Sequence, residues 1–211
     1  MNKTKALQII TSNIMEGTGF ISLFEQSKPD YKIDLQVFSG NTSNIENIYS
    51  DLTKSLKENS IVILDTDSLE NSKLIDFLMI LNSRNIKCII YSRLSTPGLI
   101  IRARELLIGG YVSKSSPLTS LMDCLSVIEL GGTYYDSNFS EILKEIMDYE
   151  TILSLSERKL FHELLLFNNR SIKDLSDILN ISKHTVEVHL SNLYKKANVK
   201  SYNELIERFS V

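Results

Sequence analysis

Short apolar runs alternate with longer amphipathic stretches through the first 130 residues, and this alternation restricts the fold more than any other feature of the chain. ALQII (6–10), KIDLQVF (32–38), IVILD (61–65), KCIIYS (87–92) and GGYVS (109–113) read as strands. The stretches near 15–27, 44–57, 72–84, 97–107 and 117–130 space their apolar residues as helices do. Five strands each followed by a helix predict an α/β, doubly wound (βα)5 domain. Parallel neighbours need crossover connections, and continuously apolar strands need cover on both faces. In such sheets the carboxyl ends of the strands form the functional edge.

After ELGGTYYDSN the strand signals stop. Gly131-Gly132 is expected to end a helix, a short aromatic stretch follows, and 140–150 reads as a linker helix. From Leu155 onward the chain reads as four short helices, 156–167, 171–179, 182–197 and 201–209, each opening on a serine able to cap its own first turn. Asn180 stands at the turn between the second and third, where a polar residue tolerates a left-handed backbone. Charge divides the same way. Residues 1–150 hold 14 Lys and Arg against 19 Asp and Glu, whereas 151–211 hold 9 against 7 and all three histidines. The expected organisation is an α/β domain over 1–130, a linker with a helix over 131–153, and an all-α four-helix domain over 154–211.

Several classes of function are disfavoured. No apolar run approaches the ~20 residues of a membrane span, and MNKTKALQII lacks a signal-peptide core and cleavage site, so a cytoplasmic address is expected. Cys88 and Cys124 have neither a C-x-x-C partner nor a nearby histidine, which predicts inert core thiols, and no metal or cofactor is expected. An enzyme is not expected either, because there is no Gly-rich phosphate loop, paired catalytic carboxylates or nucleophile–base spacing.

Two short helices joined by a tight turn, the second longer and polar on one side, outline a helix-turn-helix. In SKHTVEVHLSNLYKK (182–196), Val186, Leu190 and Leu193, with Ala197 just beyond, recur at i, i+4, i+7 and i+11 as one apolar stripe. Lys183, Glu187, Ser191 and Asn192 are left on outward or flanking faces, and Thr185, His189, Lys195 and Lys196 can reach phosphates from the edges. A helix divided this way can lie in a major groove, where base edges offer donors and acceptors.

The stretch LSERKLFHELLLFNNRSIKDLSDILNISKHTVEVHLSNLYKKANVKSYNEL resembles the four-helix DNA-binding domain of the LuxR/NarL family in LSER, SIKDLSDILNIS, TVEVH and KKANVKSYNEL, in order and spacing. The resemblance implies base reading by Glu187, Val188 and Ser191, and mainly phosphate contacts from Lys183, Thr185, His189, Asn192, Lys195 and Lys196. It also implies binding to double-stranded DNA, with RNA polymerase or another protein as a further partner; a homodimer is expected because one recognition helix offers few base contacts and paired half-sites multiply affinity. Three positions depart from the pattern: Lys159 replaces a glutamate, Glu187 sits where lysine is common, and Leu190 where a basic residue is frequent. His162 and His184 are read as structural.

The preceding α/β domain resembles the receiver of two-component response regulators. That resemblance places Asp65 at the phospho-acceptor position, Ser92 at the end of the fourth strand and Lys114 at the end of the fifth. The metal-holding acid pair is missing, because Thr11, Ser12 and Asn13 follow the first strand. A receiver fold not switched by conventional phosphorylation is expected, with Asp65 and Lys114 kept as an ion pair or as remnants. Tyr134-Tyr135-Asp136-Ser137, at the place where some related regulators bind cyclic di-GMP, lacks the arginine such a ligand needs, and the tyrosines are expected to pack the linker against a domain. Two alternatives stay open: a regulator switched by phosphorylation of Asp65, and a protein-binding adaptor whose helix-turn-helix has lost DNA.

Overall fold

The structure is a computed structural model and describes residues 5–37, 54, 56, 60–67, 71–93, 96–167 and 170–209, with 71–73 described by their backbone alone. Of the helix expected near 44–57, all but residues 54 and 56 lie outside the described residues. Contacts divide the chain into two compact units, Met1–Leu94 with Leu106–Asp136, and Ser95–Glu105 with Ser137–Val211.

The first unit is a parallel sheet in the order β2-β1-β3-β4-β5-β6, built from β1 (Lys5–Thr11), β2 (Tyr31–Val37), β3 (Ile61–Asp65), β4 (Lys87–Ser92), β5 (Gly110–Ser113) and β6 (Tyr134–Tyr135). Its helices are α1 (Ile14–Ser27), α2 (Asn71–Ser83) and α4 (Thr119–Glu129), while α3 (Pro97–Glu105) falls in the second unit. Alternate strand residues Leu7, Ile9, Ile61, Ile63, Ile89, Tyr91 and Val112 form one core with Phe20 and Phe24 of α1 and Leu121, Leu125 and Ile128 of α4. The intervening residues Ile10, Val62, Leu64, Cys88 and Ile90 are also buried, as strands covered on both faces require. Cys88 and Cys124 are buried free thiols, and burial raises both pKa values, away from the thiolate that metal or redox work needs.

Among the described residues the sheet has six strands, one more than the sequence pattern predicts. Tyr134 and Tyr135 pair in parallel with Gly110 and Tyr111, extending the sheet beyond β5. They reach that position because α4 ends in a Schellman turn: the Gly131 N–H bonds Ile128 O, the Gly132 N–H bonds Val127 O, and Gly131 takes φ +82°.

The second unit consists of α3, α5 (Ser137–Thr151), α6 (Leu155–Leu166), α7 (Ile172–Leu179), α8 (Lys183–Ala197) and α9 (Tyr202–Arg208). The stretch expected as a linker helix is a full packing element: α5 buries Phe139, Ile142, Ile146 and Tyr149 at helical spacing. Tyr149, Phe161 and Phe209 make a three-ring cluster with centroids 5.0–5.4 Å apart, and the Tyr149 hydroxyl donates to Leu193 O at 2.6 Å. Such ring pairs contribute about 0.5–1.5 kcal/mol each beyond their buried area. Helix α3 packs on α5 and α6, so closely that a Cβ on Gly98 would lie 2.2 Å from Leu165 O. Arg104 reinforces the packing with a salt bridge to Glu150 at 2.9 Å.

Candidate nucleic-acid interface

The turn before α8 is fixed by local chemistry. Ser171 and Asp174 cap α7 reciprocally, Asn180 takes φ 53°, ψ 47°, and the Ile181 N–H donates to Ser176 O while the Ser176 hydroxyl donates to Ile181 O at 2.7 Å. Ser182 then caps α8 by accepting from the Thr185 N–H at 3.1 Å, and the Ser182 and Thr185 hydroxyls share a hydrogen bond of 2.8 Å. Lys195 and Lys196 lie in the last turn of α8, where they complement the helix dipole.

Along α8 the apolar stripe is buried at Val186, Leu193 and Ala197 and half-buried at Leu190. Lys183, Glu187, Val188, Ser191, Asn192 and Lys195 are exposed, and Thr185 and His189 are half-buried. At 100° per residue the outward face centres on His184, Val188, Ser191 and Lys195, with Glu187 and Asn192 flanking it. His184, read from sequence as a structural surface or core residue, is exposed at the centre of this face, its side chain 85% accessible. Its spacing of i, i+4, i+7 and i+11 to Val188, Ser191 and Lys195 was a signal in the sequence. His189 faces the other way in part: its Nδ1 is buried, with no hydrogen-bond partner among the described residues.

Lys196 does not stand free at the edge of the helix. Its ammonium donates to Glu157 Oε2 at 2.7 Å and to Ile152 O at 2.9 Å, which ties α8 to the start of α6. Glu157 is also the third residue of the Ser154 capping box. Burial pushes the Glu157 carboxyl upward, but hydrogen bonds from Lys196 and Ser154 outweigh it and hold the pKa at about 2.

In the first unit the residues singled out at the sheet's carboxyl edge do come together. Asp65 is 2% exposed. Its Oδ1 accepts from Lys114 Nζ at 2.9 Å and from the Asp67 N–H at 3.1 Å, and its Oδ2 accepts from the Thr11 hydroxyl at 2.7 Å. Lys114 Nζ also reaches Asp67 Oδ2 at 3.1 Å and Glu16 Oε2 at 3.0 Å. Ser92 donates to Asp67 Oδ1 at 3.3 Å, alongside the Arg93 N–H at 2.7 Å. Burial opposes the charge on Lys114, but hydrogen bonds to Asp65, Glu16 and Asp67 together raise its pKa. Among the described residues no group of three His, Cys, Asp or Glu side chains is arranged to hold a metal ion. Asp136 is buried and accepts from the Ser113 N–H and from the Ser116 hydroxyl, fixing the loop that carries Lys114.

Residues 152–209 match the family model described as bacterial regulatory proteins, luxR family. The chain is 31% identical over 98 residues to the nitrate/nitrite response regulator protein NarP of Escherichia coli, covering 44% of this chain and 45% of that one. It is 32% identical over 98 residues to the response regulatory protein YgeK of Escherichia coli, covering 46% of this chain and 67% of that one. The chain belongs to the LuxR family of bacterial regulatory proteins. That family is one of transcription regulators rather than enzymes. This LuxR-family chain spans about half the length of most of the curated relatives it matches, NarP among them. Its fold is shared by RcsB in a structure of two dimers bound to two parallel DNAs, with a TM-score of 0.60, 17% identity and 97% of each chain covered. RcsB from Salmonella enterica serovar Typhimurium bound to a promoter gives a TM-score of 0.61 at 17% identity, covering 99% of this chain and 98% of that one. No helix among the described residues of the LuxR-family chain is long and apolar enough to cross a membrane.

Proposed function

We propose that the chain is a cytoplasmic, dimeric transcription regulator that lays α8 in the major groove of double-stranded DNA, and that its receiver-like unit is not switched by conventional phosphorylation. The observation that carries the reading is the two-sidedness of α8. One side is locked into the helical unit through Val186, Leu193 and Ala197, and the other presents Lys183, Glu187, Val188, Ser191, Asn192 and Lys195 to solvent. Lys183, Asn192 and Lys195 then position the helix on phosphates, with Thr185 and one edge of His189 beside them, while Glu187, Val188 and Ser191 meet base edges. Lys196 is left out of the contacts, because its ammonium already holds Glu157. A dimer supplies two such helices, and with them the affinity that one lacks.

Phosphorylation independence is supported by the environment of Asp65. A phospho-acceptor needs an accessible oxygen and a metal to neutralise the transferred group, whereas both oxygens of Asp65 are bonded inside the protein and Lys114 stands among the carboxylates. Footprinting of the full chain on bound genomic fragments tests both parts. Two protected half-sites about one helical turn apart are expected, unchanged in Asp65→Asn. Absence of protection overturns the DNA reading. A footprint that needs Asp65, or that strengthens with a phosphoryl analogue, favours the phosphorylation-switched alternative.

A further inference from the structure

Glu187 puts a carboxylate on a surface that, in the proposed function, faces phosphates. Its side chain is 58% exposed, and His184 Nδ1 lies 3.9 Å from it, beyond hydrogen-bonding distance. It lies in the first half of α8, the part of a recognition helix that contacts base edges. Beside it, Val188 exposes an apolar side chain in the middle of the polar face, with 45% of the residue accessible. The exposed face of α8 carries no arginine, the side chain that most often reads guanine. Lys183 and Lys195 against Glu187 leave this face a formal charge of only +1 with the histidines neutral. Non-specific attraction to the backbone is correspondingly weak.

We infer that Glu187 is the specificity-determining residue of α8 and selects a C·G pair in each half-site, with Val188 against a neighbouring thymine methyl. A carboxylate has only acceptors, and in the major groove the exocyclic amines of cytosine and adenine are the donors. The cytosine amine satisfies a carboxylate by itself, whereas the adenine amine stands beside the N7 acceptor, which repels it. At guanine and thymine, and along the backbone, the carboxylate meets no donor. Glu187 thereby rejects wrong sequences as well as rewarding the right one. The inference rests on the proposed DNA reading and makes it more specific.

The test is selection of bound sites from random duplexes by the full chain and by Glu187→Gln and Glu187→Ala, with thermal unfolding to check that these surface variants fold. Cytosine is expected at one position of each half-site for the wild type. Gln, which pairs with adenine through donor and acceptor together, is expected to move that position to adenine. Ala is expected to lose the preference by about tenfold or more while binding random duplex more tightly. If all three proteins select one consensus, the inference is overturned and the DNA reading stands. If the wild type selects nothing and binds no duplex at low salt, the DNA reading falls and the inference with it.

Discussion

Lys114 directs its ammonium to Asp65, Asp67 and Glu16 at 2.9–3.1 Å, so removing it leaves three carboxylates facing one another around a buried site. Lys114→Ala is expected to cost about 2–4 kcal/mol, read as a lowered urea midpoint. Of its partners, Asp65 sits at a strand end and was visible in sequence, but Glu16 was not. It arrives from the first turn of α1, which Asn13 caps by accepting from the Met15 and Glu16 N–H groups, and no spacing in the sequence marks that approach. Lys196 was hidden for a related reason: its position on α8 suits a phosphate contact, and only packing against α6 supplies Glu157. The same pair makes the helical unit sensitive to acid. The folded Glu157 carboxyl titrates at about 2, below its ordinary 4.5, so its stabilisation is complete above about pH 4.5 and is lost as pH falls toward 2. The loss should be on the order of 2–3 kcal/mol. Glu129 in the first unit, held at about 2 by Lys28, Lys5 and Tyr31 against the upward push of burial, titrates in the same window. The measurement is therefore the difference in urea stability between wild type and Glu157→Gln, which should shrink as pH drops from 5 to 2.

Among the elements, α3 shows how far periodicity carries. Its helical spacing was legible at 97–107, but its grouping with α5 and α6 depends on Gly98 lying against the Leu165 carbonyl, which no local pattern encodes. Gly98→Ala should destabilise this packing by about 1–3 kcal/mol, measured by urea denaturation. β6 escaped notice because two residues are too few for an alternation signal, and Tyr134 and Tyr135 read equally well as loop anchors. Ser171, Ser182 and Ser201 accept from their first turns as expected, whereas α6 starts at Leu155 under Ser154, two residues before the expected serine, because Ser154 rather than Ser156 has Glu157 at the third position to complete a capping box. Asn180 adopts the left-handed backbone that its place in the turn predicts. Asn180→Ala should cost about 1 kcal/mol and weaken the orientation of α8, while Asn180→Gly should be nearly neutral, a contrast that thermal melts of the two variants can check.

For the whole molecule, the formal charge of −3 looks unsuited to a nucleic-acid partner until it is divided along the chain, with the surplus of acid before residue 150 and a slight surplus of base after it. The matched family model covers that same last part of the chain. A protein that meets DNA through few lysines should bind modestly and release few counterions, and each lysine should count in the salt dependence. The direct measurement is the affinity of the full chain for its selected duplex across a salt series, alongside Lys183→Ala and Lys195→Ala. Affinity should fall as salt rises, and each substitution should weaken all sequences alike and reduce the log–log slope by about 1. No duplex affinity at low salt, or slopes untouched by either lysine, would contradict a recognition role for α8.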